Sequence, residues 1–395
     1  MRIAYVCADP GVPVFGTKGS SVHVQEVVRA FLTLGAEVEI FATRLDGEVP
    51  DDLRSVGLHW LSALPKGDLA LRERASLGAN QGLAAALRIS GPFDLVYERY
   101  SLWSFAGMEY ARDSGKCGIL EVNAPLIEEQ EKHRGLLDRT SAERVATRAF
   151  EAATSAVVVS REVARYLERF PSIAGQVHVI PNGVNPARFP PTGAVGKLAR
   201  PGEFTVGFLG TLKPWHGLPV LAEAFSELRK LRPNVRLLIA GDGPEKDSFA
   251  AQLDMAGALD ATIFTGAVTP QDVPKLLASM DAAVAPYADK SDFYFSPLKV
   301  YEYMAASLPV VVSAVGQLKE LVQDGVNGLL CPPGDASALS AALVRLHDNA
   351  DLRGALGTAA RETVVEHHTW VSIASGILRI AGLNHDAGEP AMAVV

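Results

Sequence analysis

The chain has 395 residues, 48% of them hydrophobic and 21% charged, with a formal net charge of −8. That length allows two domains with separate cores, and the acidic balance offers no basic excess for binding nucleic acid. No uninterrupted apolar run approaches the roughly 20 residues of a membrane span, and the dispersed Cys7, Cys117 and Cys331 indicate neither a disulfide framework nor a zinc site.

The opening residues MRIAYVCADPGVP read as a β-strand stopped by Asp9 and Pro10, not as a secretion signal, so a cytoplasmic location is expected. Short β-branched runs then alternate with helical periods. Strands are expected at 2–8, 36–42, 93–98, 117–122, 155–160 and 177–180, and again at 204–210, 235–241, 261–266, 282–286, 308–313 and 327–331. Both halves begin with strand, glycine-containing loop and helix, so the expected fold is α/β, with two Rossmann-like domains whose parallel sheets face a central cleft. The expected bounds are 1–195 and 196–370, with the Pro/Gly-rich segment 190–203 as linker. A helix near 370–383 is expected to return to the first domain, ahead of a frayed tail.

Loops at the carboxyl ends of strands carry the chemistry in such folds. In the first half, PVFGTKGSSVHVQEV (13–27) places Gly16, Gly19, Ser20, Ser21 and His23 before and within the first turn of a helix. Ser20 or Ser21 is expected to cap that helix, and His23 to face the site. Glu98, Arg99, Asn123 and His133 follow later strands as candidate acceptor-binding groups. Arg134, Arg139, Arg144 and Arg148 lie on a charged helix read first as a solvated face, and second as a surface for an anionic or lipid-linked acceptor or weak peripheral membrane contact.

In the second half, GTLKPWHG (210–217) supplies Gly210, Thr211, Lys213 and His216 ahead of a helix, a pattern suited to a diphosphate and also to a plain strand–helix turn. AGDGPEKD, with Gly241, is a second glycine-rich turn. TGAVTPQDV is a third, where the backbone at Ala267 and Val268 suits the edge of a base. SPLKVYEYMA (296–305) begins a helix, with Ser296 expected as N-cap and Pro297 in the first position. Glu302 stands there among Leu298, Val300, Tyr301, Tyr303 and Met304. Either it pairs with Lys299 one turn earlier, or it is held for a ligand, since an unpaired carboxylate in apolar surroundings is costly.

Taken in order, GTLKPWHG, GDGP, TGAV and FSPLKVYEYMAASLPVVVSAVGQLKELVQDGVNGLLCPPGD, with GTKGSSVHVQEVVRAFLTLGAEVEIFA and VIPNGVNPARF before them, resemble the family-4 glycosyltransferases of the GT-B fold. The resemblance runs to about residue 380. It implies transfer of a hexose, with retention, from a nucleoside diphosphate sugar such as UDP-glucose to a hydroxyl acceptor that the sequence does not name. The sugar nucleotide is substrate, and no cofactor is expected. It further implies that Glu302 accepts both ribose hydroxyls, that Leu298 and Lys299 offer backbone amides to the diphosphate, that Ala267 and Val268 meet the base, and that the Gly16 loop covers the β-phosphate. Asn123 stands where many members carry a histidine near the donor sugar. The expected catalytic set is Lys213, Glu302, His23 and Asn123.

Two departures from the family stand out. Its first glutamate, eight residues before Glu302, is Tyr294 here, leaving Asp292 or the backbone of Phe293, Tyr294, Phe295 and Ser296 for the sugar hydroxyls. Its phosphate-loop Arg and Lys correspond to Thr211 and His216, so Lys213 is expected as the main cation, assisted by His216. No Asp-x-Asp motif occurs, so metal-independent transfer is expected, with Lys213 and helix ends stabilising the leaving diphosphate. An NAD-dependent oxidoreductase would need G-x-G-x-x-G after a strand, which neither loop supplies. An inactive sugar-nucleotide-binding protein and a sugar-nucleotide epimerase remain the alternatives.

Overall fold

A computed structural model of the chain describes residues 1–61, 63–65, 67–190, 202–288 and 293–383. Within it the chain divides into two units, Met1–Pro181 joined by the segment from Trp370 onward, and Asn182–Thr369.

The first unit is built on β1 (Arg2–Cys7), β2 (Glu37–Ala42), β3 (Gly57–Trp60), β4 (Leu95–Arg99), β5 (Cys117–Val122), β6 (Ser155–Val158) and β7 (Val177–Val179). They form one parallel sheet in the order β3-β2-β1-β4-β5-β6-β7. Runs such as IAYVC and ILEV are buried along their whole length, as strands covered by helices on both faces must be. β3 is the one strand here that the sequence does not announce. It lies at the sheet edge with no fully buried residue, so its GLHW carries no apolar run to read. The Gly19–Thr33 helix buries Val24, Val27, Val28 and Phe31, and the Trp370–Ile380 helix packs against it. Its N-cap is Lys18, without a side-chain cap, so Ser20 and Ser21 lie inside the first turn and do not cap it.

The second unit contains β8 (Phe204–Leu209), β9 (Val235–Ala240), β10 (Thr262–Phe264), β11 (Ala282–Ala285), β12 (Val310–Ser313) and β13 (Leu329–Cys331). The parallel order is β10-β9-β8-β11-β12-β13. One face packs Phe208, Leu221, Phe225 and Leu343, and the other packs Tyr301, Tyr303, Met304 and Leu318. Strand order reverses between β8 and β11, so the loops leaving their carboxyl ends diverge and open a crevice, the place where open α/β sheets bind ligands. The unit begins at Asn182, earlier than the boundary expected at 195, because Val184 and Phe189 are already buried in its core. Most of the expected linker, residues 191–201, lies outside the described residues.

The turn that follows β8 depends on one glycine. Gly217 has φ +66°, and a Cβ added there would lie 1.5 Å from the carbonyl oxygen of Pro286 in the loop after β11. Gly257 has the same φ of +66° but nothing within 4 Å. Gly257→Ala is therefore expected to cost about 1 kcal/mol from left-handed strain alone, and Gly217→Ala about 4 kcal/mol or more through the added clash. Urea denaturation of the two variants checks this; equal losses would mean that the two loops do not meet as described.

Candidate active site

The crevice at β8 and β11 is walled by backbone on one side. Gly241 has φ +146°, and a Cβ there would meet the Gly210 carbonyl oxygen at 2.1 Å. Gly241 also pairs with Gly266 in an isolated antiparallel bridge. The loops after β8, β9 and β10 are thus stacked backbone on backbone, and Gly241 serves that close approach. Ala267 is exposed beyond the bridge, while Val268 packs partly against the core.

The Leu298–Ala305 helix forms the other wall. Its N-cap is Pro297 and not the expected Ser296, because Ser296 is engaged one residue earlier. The Asn182 backbone N–H donates to Ser296 Oγ at 3.0 Å, and the Asn182 side-chain amide donates to the Ser296 carbonyl at 2.6 Å. No side chain caps the helix and no acid lies in its first turn, which leaves the positive end to an anion. One turn further on, the Tyr303 hydroxyl accepts the Leu209 N–H at 2.7 Å, fixing the helix to the end of β8. Asn182 is a residue that sequence reasoning missed, since its partner lies 114 positions away.

Val300, Tyr301, Tyr303, Met304 and Ala305 are buried, whereas the Glu302 side chain keeps 15% exposure. Its carboxylate lies 3.6 Å from the Arg188 guanidinium. Arg188 also donates to the Pro270 carbonyl at 2.8 Å, so it ties the carboxylate to the loop that carries Val268. The alternative pairing with Lys299 is not formed: the Lys299 ammonium is buried and makes no hydrogen bond.

In the loop after β8, Lys213 is half-buried, lies 5.6 Å from the centroid of the Trp215 ring and forms no ion pair among the described residues. His216 is different from the expectation. Its Nδ1 lies 2.6 Å from the Thr211 carbonyl and must donate to it. Burial first, then the charge on Lys299, pushes its pKa down to about 3. The ring is neutral at physiological pH, so His216 does not assist Lys213 as a cation. Ahead of the Leu298–Ala305 helix, Phe293 is buried and stacks edge-on to Tyr287 at 4.7 Å, while Tyr294 and Phe295 are half-buried with ring centroids 4.4 Å apart. Asp292 lies outside the described residues.

The candidate acceptor residues of the first unit are distributed otherwise than expected. Glu121, at the end of β5, is a buried hub that sequence reasoning missed. It accepts from Tyr97 Oη at 2.6 Å, His23 Nε2 at 2.7 Å, Asn123 Nδ2 at 3.1 Å and Arg99 at 3.5 Å. Burial alone would raise its pKa, but His23, Arg99 and Tyr97 more than offset that and hold it at about 2. His23 is itself only 4% exposed and sits edge-on to Trp370 at 5.0 Å, so it is committed to this network and does not face an open site. Glu98 is fully buried, accepts from Ser104, and is pushed up to about 7 by burial. It faces the start of the Ala106–Asp113 helix, where a Cβ on Gly107 would lie 2.2 Å from its Oε2, so it is a helix-end group and not an acceptor contact. Ser21 is buried as well. Gly16, Gly19, Ser20 and Asn123 keep exposure. Gln25 pins their loop by donating to the Val14 and Gly16 carbonyls at 2.8 and 3.0 Å.

The arginine-bearing helical region is largely neutralised: Arg134 pairs with Glu129, Arg139 with Glu131 and Glu143, and Arg148 with Glu109. Among the described residues no group of three or more His, Cys, Asp or Glu is placed to hold a metal ion, and no helix is long and apolar enough to cross a membrane.

Two measurements check these networks. In a double-mutant cycle, Arg188→Gln and Glu302→Gln should show a coupling of about 1 kcal/mol in urea denaturation, and additive losses would mean that the pair does not interact. For Glu121, the folded pKa lies below the ordinary value, so its contribution is present above pH 4.5 and lost as the pH falls toward 2. The stability gap between wild type and Glu121→Gln should therefore shrink by about 3 kcal/mol between pH 6 and pH 2. A gap that stays constant would remove Glu121 from the charged hub.

Comparisons with known proteins bear on the family and the fold. A family model described as Glycosyltransferase Family 4 matches residues 17–188, and one described as Glycosyl transferases group 1 matches 203–349. Glycogen synthase of Mycobacterium tuberculosis is 30% identical over 205 residues, 52% of this chain and 48% of that protein, so the chain matches about half the length of that relative. D-inositol 3-phosphate glycosyltransferase of Salinispora arenicola is 25% identical over 394 residues, covering 92% of this chain and 87% of that one. Among solved structures, sucrose-phosphate synthase from Thermosynechococcus elongatus has a TM-score of 0.74 at 22% identity, covering 96% of this chain and 98% of that chain. Anabaena HepE in complex with UDP has a TM-score of 0.74 at 19% identity, covering 97% and 100%. With both halves matched in order and a Rossmann-type sheet in each unit, the chain belongs to the family-4, group 1 glycosyltransferases of the GT-B fold.

Proposed function

We propose that the second unit binds a nucleoside diphosphate sugar, a UDP-hexose such as UDP-glucose, and that the chain transfers the hexose to a hydroxyl acceptor with retention of configuration and without a metal. The observation that carries this reading is Glu302: one partly exposed carboxylate on a helix with Val300, Tyr301, Tyr303, Met304 and Ala305 buried around it, at the β8/β11 switch point, tied through Arg188 to the loop beside Val268. A diol that donates two hydrogen bonds to such a carboxylate is the ribose of a nucleotide. With the ribose there, Ala267 and Val268 meet the base, and the helix start at Leu298 and Lys299 meets the diphosphate. HepE has been crystallised with UDP, with UDP and glucose, and with UDP-glucose, which supports a uridine nucleotide as the first to test.

In this reading the bond from the anomeric carbon to the β-phosphate oxygen breaks as the acceptor oxygen bonds to that carbon. The departing phosphate takes the acceptor's proton on the same face. Negative charge builds on the diphosphate, where Lys213 and the open helix end lower its energy. In the first unit, Gly16, Gly19, Ser20 and Asn123 remain as candidates for contact with the acceptor, while His23 acts indirectly by holding Glu121. Tyr294 in place of the family's first glutamate favours one second reading, a protein that binds the sugar nucleotide without transfer. Mass spectrometry of products with and without acceptor separates the two.

Glu302→Gln should weaken UDP binding by about 1.5–3 kcal/mol in calorimetry. The wild type should prefer UDP over 2′-deoxy-UDP, and the variant should lose most of that preference; unchanged UDP affinity would sink the ribose assignment. Transfer should persist in excess chelator, and a strict need for manganese or magnesium would contradict the metal-free reading.

A further inference from the structure

The Lys299 side chain has no role in the reading above, which uses only its backbone amide. Its ammonium is buried, carries no hydrogen bond and is not paired with Glu302. It lies 4.0 Å from the centroid of the Phe208 ring and 5.8 Å from that of Tyr287. Two aromatic faces attract a cation but accept none of its three N–H bonds, so the group is left far short of what water would give it. Lysine is almost never buried on such terms. Where the ammonium points is the second observation: it lies 3.1 Å from the position a Cβ would take on Gly210, at the first residue of the loop after β8. The ammonium thus sits directly against that turn.

The same loop carries little positive charge of its own. Thr211 is neutral, His216 is neutral with its Nδ1–H given to Thr211, and Lys213 is its sole cation. We infer that the Lys299 side chain, reaching the Gly210 turn from the neighbouring helix, is a diphosphate-binding cation of this site, acting together with Lys213. This rests on the nucleotide reading of the crevice. This places one of the two positive charges on a helix that is fixed to β8 through Tyr303 one turn further on, so this charge is held by the core and not by a turn. The ammonium stays without a partner until the anion arrives.

The protonation behaviour follows. Burial pushes the Lys299 pKa down to about 7, opposed by Glu302 on its own helix. The other ionisable groups facing it are His216 from the loop after β8 and Tyr287 from the loop after β11. A bound diphosphate should raise that pKa, so binding at pH 8 should draw a proton from solution.

The test is calorimetry of the full chain at pH 8 with UDP and with uridine, in Tris and in HEPES, for wild type and Lys299→Met. The variant should bind UDP at least tenfold more weakly and uridine unchanged, and its melting temperature without ligand should be equal or higher, since a costly buried charge is gone. The wild type should take up protons on binding UDP and the variant should not. Lys299→Gln should show the same selective loss and serves if the Met variant does not fold. Equal UDP affinity in variant and wild type would overturn the inference alone, as would parallel losses for UDP and uridine with a lowered melting temperature. If the wild type binds none of UDP, GDP and ADP, the nucleotide reading falls and the inference with it.

Discussion

A charge placed among apolar side chains must find compensation, and that constraint organises both units. In the first, Glu121 is buried yet receives four donors, from Tyr97, His23, Asn123 and Arg99. Its requirement is met inside the protein, and the result is a rigid knot joining the Gly19–Thr33 helix, β4 and β5, with Trp370 against its imidazole. In the second, the Leu298–Ala305 helix carries an acid and a base that do not neutralise each other. Glu302 leans toward Arg188, and Lys299 is held against Gly210. Charges compensated from within make structure, and a buried charge left without a partner marks the place for a ligand.

The surrounding fold makes that arrangement affordable. Reversal of strand order between β8 and β11 opens the crevice, and Tyr303 locks the helix to β8 while Asn182 holds its start. Gly241 lets three loops stack without side chains between them, so amides and carbonyls line the wall on one side. A site of this kind gains electrostatic strength from low local polarity without reorganising when substrate arrives.

Most of the fold was legible in the sequence, because parallel strands covered on both faces appear as continuous β-branched runs. β3 escaped because an exposed edge strand needs no such run. The site was legible in outline: one acid in an apolar helix start and glycine-rich strand–helix turns are local patterns. What was not legible depended on distance in the chain or on burial. Asn182 reaches Ser296 across 114 positions, and Glu121 looked like an ordinary strand residue. Glu98 and His23 were read as site groups because they sit at strand ends and helix starts, but their side chains turn inward. His216 occupies a cation's place in the loop, and only its bond to Thr211 and its burial reveal it as neutral.

Hydrogen exchange of the full chain with and without UDP, followed peptide by peptide, tests the central claim most directly. Nucleotide should slow exchange in 210–217, 266–270 and 298–302 together, because those three segments are read as phosphate, base and ribose contacts. Protection confined to the first unit, or missing from 298–302 while UDP is bound, would contradict the account.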